Sequence, residues 1–593
     1  MCGIISIMGR DAGKISLDAA LATLSYRGPD SNGSMAFDTA ALGHTRLAII
    51  DLSPSGHQPM RDNAKDIAIT FNGEIYNYKE LRAELEKKGH VFSTPSDTEV
   101  ILKAYEEYGS ECPKYLDGMF AFVIWDDEKK QAFMARDRFG KKPLYYAYTP
   151  DGKLAAGSEI KALKAVGVQP EIDPAGIDAY LTLMYIPPWR TVYKNVHTIL
   201  GGHSATYTPG QPGSEGVLKI ESYWKLTRNP ISVSYNEAKE KVRKLFDAAV
   251  QKRMLAADVE VGSFLSGGVD STLVTAYAQK YLDKPIKTFS LGYGSEINEL
   301  PFADEASKKI GTEHYTLQAT SELTGELEKI LEYFDEPHGD SANFPQHLVS
   351  ELASKHVKVA LSGDGGDELF MGYGWYFQHW HRPKLMQLKA FLFSNPYKEY
   401  LKSITVFPAS MRRTLLKNSK DIGHEHIDQL VSPTSDAIQN INAYDLSTYL
   451  PGQLLTKVDQ ASMMHGLEVR CPLLDHELAE FVVNLPKEFK MNRGTGKLLL
   501  KDLLAEIMPR PFVDRKKQGF GAPVRKWLCQ EKMHAYVENQ FAPGASVYAY
   551  LNEDAVQSFI KNVYKTERAK GYYQLWVLLC LEIWLKKHPT KIS

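Results

Sequence analysis

Residues 263–274 read SFLSGGVDSTLV, a short apolar run, two adjacent glycines and then residues that open a helix. Twelve residues therefore prescribe a strand, a tight turn and a helix start, the unit from which open α/β sheets are built. Backbone N–H groups at such a turn point outward and the helix dipole favours negative charge, so phosphate is the natural guest. The loop departs from GxxxxGK[ST] because no lysine follows the glycines; Asp270 supplies an oxygen that suits Mg²⁺ instead. Taken alone, the segment is equally well a turn in which Asp270 or Ser271 caps the helix.

A second segment, VKVALSGDGGDELFMGY, repeats the arrangement and gathers Asp364, Asp367 and Glu368 around Gly363, Gly365 and Gly366. Parallel neighbouring strands would bring both loops to one carboxyl edge, where ligands of open α/β sheets bind. Two acidic loops there could share one Mg–pyrophosphate.

The rest of the chain limits the company these loops keep. Its 593 residues exceed one core, and the 70 basic residues nearly balance the 72 acidic ones, so nothing calls for nucleic acid or an anionic membrane. The apolar runs are shorter than a bilayer span, and the five scattered cysteines form no CxxC pair, which suits a reducing cytosol. No secretion signal is expected at the start. The first 160 residues alternate strand-like runs with turns, and YKELRAELEKKG and SDTEVILKAYEEYG interrupt them with helical spacing. GMFAFVIWDDEKKQAFMARD reads as a hairpin. TPGQPGSEG, residues 208–216, has the composition of a linker or a long surface loop, and domains are expected at 1–215 and 216–593. Beyond it come a strand at 259–265, a helix from Ser271 to Leu282, long helical periods at 385–450 and a mainly helical remainder.

SGGVDS resembles the pyrophosphate loop of ATP pyrophosphatases, and LLTKVDQASM, LEVRCPLLD and GTGKLLLK resemble the synthetase domain of glutamine-hydrolysing asparagine synthetases. The likeness runs through most of residues 240–530 and implies a carboxylate activated by ATP as an acyl-adenylate, which ammonia then attacks. It also implies roles. Leu265, Leu291, Ser362 and Gly363 would border the adenosine; Ser266, Gly267, Gly268, Val269, Asp270 and Ser271 would hold pyrophosphate; Asp270 and Asp367 would reach Mg²⁺; Lys497 would stabilise charge developing on the phosphates.

At the other end, MCGIISIMGR places a thiol second. Removal of Met1 would leave Cys2 with a free α-amine, whose pKa of about 7.7–8.0 lets it accept the proton of a thiol near 8.5. Position alone favours a buried cysteine in the first strand, with a palmitoylated thiol as another reading. Four motifs reverse that preference: RGPDSNG, HTRLAIIDLSPSGHQPM, FNGEIYNY and SDTEVIL are similar, in order and spacing, to the glutaminase domain of class II glutamine amidotransferases. ARDRFGKKPLYY and GSEIKAL extend the likeness. It implies an N-terminal nucleophile hydrolase αββα sandwich, followed by a parallel-sheet α/β domain with a helical C-terminal part. Cys2 becomes the nucleophile, Asn72 and Gly73 the oxyanion donors, Arg46 the partner of the glutamine α-carboxylate, and Asp97 with Glu74 the amino end.

The combined resemblance implies glutamine-dependent amide synthesis with ATP and Mg²⁺, ammonia passing inside the protein, and aspartate as acceptor. One departure bears on the acceptor: this loop reads SGDGGDE where well-known relatives have SGEGSDE, so Asp364 replaces a glutamate tied to adenylation. Relatives of this form extend the alternatives to other carboxylates, including uronic acids of bacterial surface polysaccharides, with GYGWYFQHW as a sugar-facing wall, although such an aromatic cluster is more often core packing. A catalytically silent binding protein is the reading from another class. Expected partners are small molecules, with no nucleic acid and no membrane, in the cytoplasm; a homodimer is left open.

Overall fold

The computed structural model describes residues 2–62, 64–210, 216–293, 298–319, 324–380, 398–419, 436–515 and 521–589. Its first part is two stacked antiparallel sheets of six strands each. Gly3–Met8 is central in one, pairing on one side with Ala40–Arg46 and on the other with Leu154–Gly157. Successive side chains of a strand face opposite ways, and here both faces are covered. Ile4 and Met8 pack with Ala121, Val123 and Trp125 between the sheets, while Ile5 and Ile7 pack outward against Leu17 and Leu21 of the first helical segment. In the second sheet Ile67–Ile75 pairs with Gly118–Asp126, which forms the expected hairpin with Gln131–Arg136. Its outer face buries Ile67, Ile69 and Phe71 against helices Tyr78–Lys87 and Asp97–Tyr108. The layers are therefore helix, sheet, sheet, helix.

The Pro- and Gly-rich stretch at 208–216 does not separate two domains. It joins His203–Thr208 to Val217–Ser222, which pair antiparallel from Thr208 opposite Val217 onward, so the second sheet continues to Ser222. Residues 211–215 themselves lie outside the described residues. Its flanks pair with each other, so the stretch connects two strands of one sheet. We place the boundary after Ser222, before the helix Tyr235–Leu255, whose start Ser234 and Glu237 cap reciprocally.

The second part is built on a five-stranded sheet in the order Glu313–Gln318, Lys287–Gly292, Val261–Phe264, Val359–Leu361, Glu468–Arg470, all parallel. The first loop follows Val261–Phe264 and leads into helix Val269–Gln279, which begins two residues before the expected Ser271. The second loop follows the adjacent strand Val359–Leu361. Of the expected helical region 385–450, the described residues contain helices Lys398–Ile404, Ala409–Leu415 and Ala437–Tyr444; residues 385–397 and 420–435 lie outside them. A long, almost wholly buried helix, Ala569–Lys587, closes the helical part. Among the described residues no helix is long and apolar enough to cross a membrane.

Candidate active sites

The strand register delivers the first group of side chains. Cys2 precedes the central strand and is buried, its N–H donating to Asn72 Oδ1 at 3.0 Å. Asn72 thus spends its carbonyl on Cys2 and leaves Nδ2 buried and without a hydrogen-bond partner. Gly73 is required by its surroundings, because a Cβ there would lie 2.1 Å from the Met119 carbonyl oxygen. The Cys2 sulfur sits 4.0 Å from the Leu47 carbonyl, and burial pushes the thiol up while the terminal ammonium charge opposes the rise.

Arg46 and the two carboxylates lie around this strand end. The Arg46 guanidinium donates to the carbonyls of Ser53, at 2.9 Å, and of Asp51, which fixes it against the loop that follows its strand. Asp97 sits at the first position of its helix, and its Oδ2 accepts from the Ile75 N–H at 3.0 Å. Burial raises Asp97 to about 7, and Glu468 adds to the rise while Arg470 opposes it. Glu74 is raised well above the usual carboxylate range, again by burial first and then by Glu468 and Asp97. Its Oε2 has no hydrogen-bond partner and lies 3.8 Å from Arg470 Nη2. With both carboxyls raised, this end holds negative charge in reserve, and an ammonium group brought against them would favour their ionised forms.

The second group comes from three separated segments. Gly267 adopts φ 71°, a conformation glycine tolerates, and a Cβ there would meet the Phe302 carbonyl carbon at 2.5 Å. Ser266 Oγ lies 3.0 Å from Ser271 Oγ and accepts from the Gly268 N–H at 3.2 Å, so the loop is folded on itself with Val269 opening the helix. A Cβ on Gly363 would lie 2.8 Å from Asp270 Cβ, and one on Gly366 2.5 Å from Asp270 Oδ1. These glycines let the two acidic loops touch. Lys497 then enters from the start of Leu498–Leu504 and bonds both Asp270 and, at 2.8 Å, Asp367 Oδ1. All three side chains are largely buried, and the two carboxylates raise the Lys497 ammonium although burial alone would lower it.

Asp270 and Asp367 aim hard oxygen donors at one point already shared by a cation, so the donor set fits Mg²⁺. Leu265 and Leu291 are buried on adjacent strands, with the Leu265 N–H donating to the Phe289 carbonyl at 3.0 Å. Ser362 Oγ donates to Asp364 Oδ2 at 2.8 Å. Burial raises Asp364, and the Lys457 ammonium, itself bonded to Asp340 at 3.1 Å, opposes the rise. Glu368 is pushed up to about 8 by burial and by Asp367.

Some of this was not anticipated. Lys457 and Arg470 lay inside motifs already singled out, yet neither carried a role; their partners Asp340 and Glu74 are 117 and nearly 400 positions away, beyond any local pattern. The segment GYGWYFQHW is largely core packing. Tyr376 is fully buried with its hydroxyl on Asp445 Oδ2 at 2.6 Å, and Trp375 Nε1 donates to the same oxygen at 3.0 Å.

The profile of the glutamine amidotransferase domain matches residues 1–224, and that of asparagine synthase matches residues 241–586. An amidotransferase sandwich joined to a nucleotide-loop sheet defines a glutamine-dependent ligase. Similar curated proteins include asparagine synthetase [glutamine-hydrolyzing] 1 of Bacillus subtilis, 33% identical over 94% of this chain and 91% of that one. A putative asparagine synthetase [glutamine-hydrolyzing] of Mycobacterium tuberculosis is 33% identical over 98% of this chain and 97% of its own. Asparagine synthetase [glutamine-hydrolyzing] 3 of Bacillus subtilis is 31% identical over 86% and 84%. The chain belongs to the asparagine synthase family.

Proposed function

We propose that this protein makes asparagine from aspartate, taking nitrogen from glutamine and driving the reaction with ATP. The observation that carries the synthetase half is the meeting of Asp270, Asp367 and Lys497 at the carboxyl edge of the parallel sheet. There the acceptor carboxylate oxygen attacks the α-phosphorus of ATP, pyrophosphate leaves, and an acyl-adenylate forms. Mg²⁺ held by Asp270 and Asp367 would neutralise phosphate charge, while Lys497 stabilises negative charge growing on the departing pyrophosphate. Ammonia then adds to the acyl carbon and AMP departs.

At the other site, with Met1 removed, the Cys2 amine takes the thiol proton and the sulfur attacks the glutamine amide carbon. Asn72 Nδ2, buried and without a partner, would meet the tetrahedral oxygen, with the Gly73 N–H as second donor. Arg46 would hold the α-carboxylate, and Asp97 with Glu74 the α-ammonium. Ammonia leaves, and water releases glutamate from the sulfur.

Aspartate is the preferred acceptor because the relatives spanning most of the chain carry asparagine synthetase names. Two residues of the aromatic segment offered as a wall for a uronic acid, Trp375 and Tyr376, are engaged by Asp445. The deciding experiment supplies glutamine and MgATP with aspartate or uronic acids in turn and measures AMP and pyrophosphate. Pyrophosphate release that depends on aspartate is expected; release that follows a uronic acid reassigns the acceptor.

A further inference from the structure

The strand Glu468–Arg470 pairs in parallel with Val359–Leu361 and gives alternate side chains to different company. Val469 packs with Phe289 and Leu291 inside the parallel-sheet part. Glu468 and Arg470, both fully buried, share the opposite face, where Arg470 approaches Glu74 and Tyr76 of the sandwich.

Most of the Arg470 guanidinium is committed. Nε donates to Glu468 Oε1 at 2.6 Å, and Nη1 donates to the carbonyls of Arg253, at 2.6 Å, and Ala256, at 2.9 Å. Its Cζ lies 5.6 Å from the centre of the Tyr76 ring. Nη2 alone is left buried and without a hydrogen-bond partner. Glu74 Oε2, also buried and without a partner, stands 3.8 Å from it. That distance is too long for a hydrogen bond, yet a small turn of the Glu74 carboxylate closes it. An unspent donor and an unspent acceptor thus meet across the boundary between the two parts, next to Gly73 and to Ile75, whose N–H donates to Asp97 at 3.0 Å.

We infer that Arg470, supplied by the parallel-sheet part, is a positioning residue of the glutamine pocket: Nη2 takes one oxygen of the Glu74 carboxylate and leaves the other for the α-ammonium of glutamine. The inference rests on the reading above, in which Glu74 helps to hold that ammonium. A carboxylate bound at one oxygen by a fixed guanidinium presents its second oxygen in one direction. The same contact supports its charge, because burial, Glu468 and Asp97 all favour neutral Glu74 and Arg470 opposes them. Arg470 acts only through Glu74, and the pocket for glutamine is finished by a strand of the other sheet.

The test measures glutamate release from glutamine by the full-length protein, with 4-carbamoylbutanoate, which is glutamine without its α-amine, as competitor. Arg470→Lys keeps a cation for Glu468 and loses the fork that also reaches Glu74. It is expected to raise KM for glutamine about tenfold, with kcat and the inhibition constant of the competitor each changed about twofold or less. In a Glu74→Gln protein, whose KM is already raised, Arg470→Lys is expected to add nothing further. A second variant, Arg470→Met with Glu468→Met, removes the buried ion pair whole, strands no charge, and is expected to show the same selective loss of glutamine. An unchanged KM in both variants, a KM and an inhibition constant that rise together, or a full Arg470→Lys effect on top of Glu74→Gln overturns the positioning role. An unchanged KM in the Glu74→Gln protein overturns instead the assignment of Glu74 to the ammonium.

Discussion

Arg27 and Asp459 stand 432 residues apart in sequence and 2.9 Å apart in space, a fully buried ion pair joining the sandwich to the parallel-sheet part. The same guanidinium reaches Glu159 Oε1 at 2.8 Å and the carbonyl of Cys2 at 3.2 Å. Removing Asp459 takes one of the two carboxylates from buried Arg27 and one from buried Lys142. Asp459→Ala is expected to destabilise the protein by about 3 kcal/mol or more in denaturant unfolding. It should also cut glutamine-dependent synthesis more than synthesis from added ammonium salts. Equal losses with both nitrogen sources would separate the pair from the coupling of the sites.

Cys2→Ala is expected to abolish glutamine use and spare synthesis from ammonium salts. Asn72→Ala removes the unpartnered Nδ2 and should lower the glutaminase kcat by about 10²–10³ with a smaller change in KM. A fall confined to KM would place Asn72 in glutamine binding alone.

Lys497→Met leaves Asp270 and Asp367 facing each other without their shared ammonium. Acceptor-dependent pyrophosphate release should fall by about 10² or more with glutamine and with ammonium salts alike. Glutaminase activity measured alone should survive, because the two groups of side chains belong to different sheets.

Asp97 is raised to about 7 by its burial, so its carboxylate form is lost as pH falls through that value. Holding the glutamine ammonium requires the carboxylate. KM for glutamine should therefore rise about tenfold per unit below pH 7, and Asp97→Asn should flatten that limb while raising KM throughout. The stability effect has the opposite direction: the folded state binds this proton more tightly than the unfolded chain, so the contribution of Asp97 to stability declines from about pH 4 to 7.

Gly363→Ala tests the contact between the acidic loops. The added methyl would sit 2.8 Å from Asp270 Cβ, in a place bounded by backbone as well. Adenylation should fail while the melting transition changes little, since the loops lie at the sheet edge. Retained pyrophosphate release would mean that the loops can separate without loss.

Much of the site was legible because its parts are local. A strand, two glycines and a helix start occupy consecutive positions, so Ser266 to Ser271 could be read as a phosphate loop from sequence, and the hairpin at Gly118–Arg136 from alternation. Residues 208–216 show the converse. Composition offered a linker or a surface loop, and which of the two it is depends on whether the flanking strands pair with each other, a matter of register across space. The company of the aromatic run beside the second loop was equally out of reach, because Asp445, which bonds Trp375 and Tyr376, is about 70 positions away.

By itself the sequence determined which chemistry each residue type could offer: a thiol behind an amine, an amide donor, carboxylates on glycine-rich turns, a lone lysine. Only the tertiary structure decided their charge states and company. Burial raises Asp97, two carboxylates surround Lys497, and Lys141 donates to the Leu474 carbonyl. The physical reason is that desolvation and Coulomb terms depend on everything within a few ångströms, and in this fold those neighbours come from opposite ends of the chain.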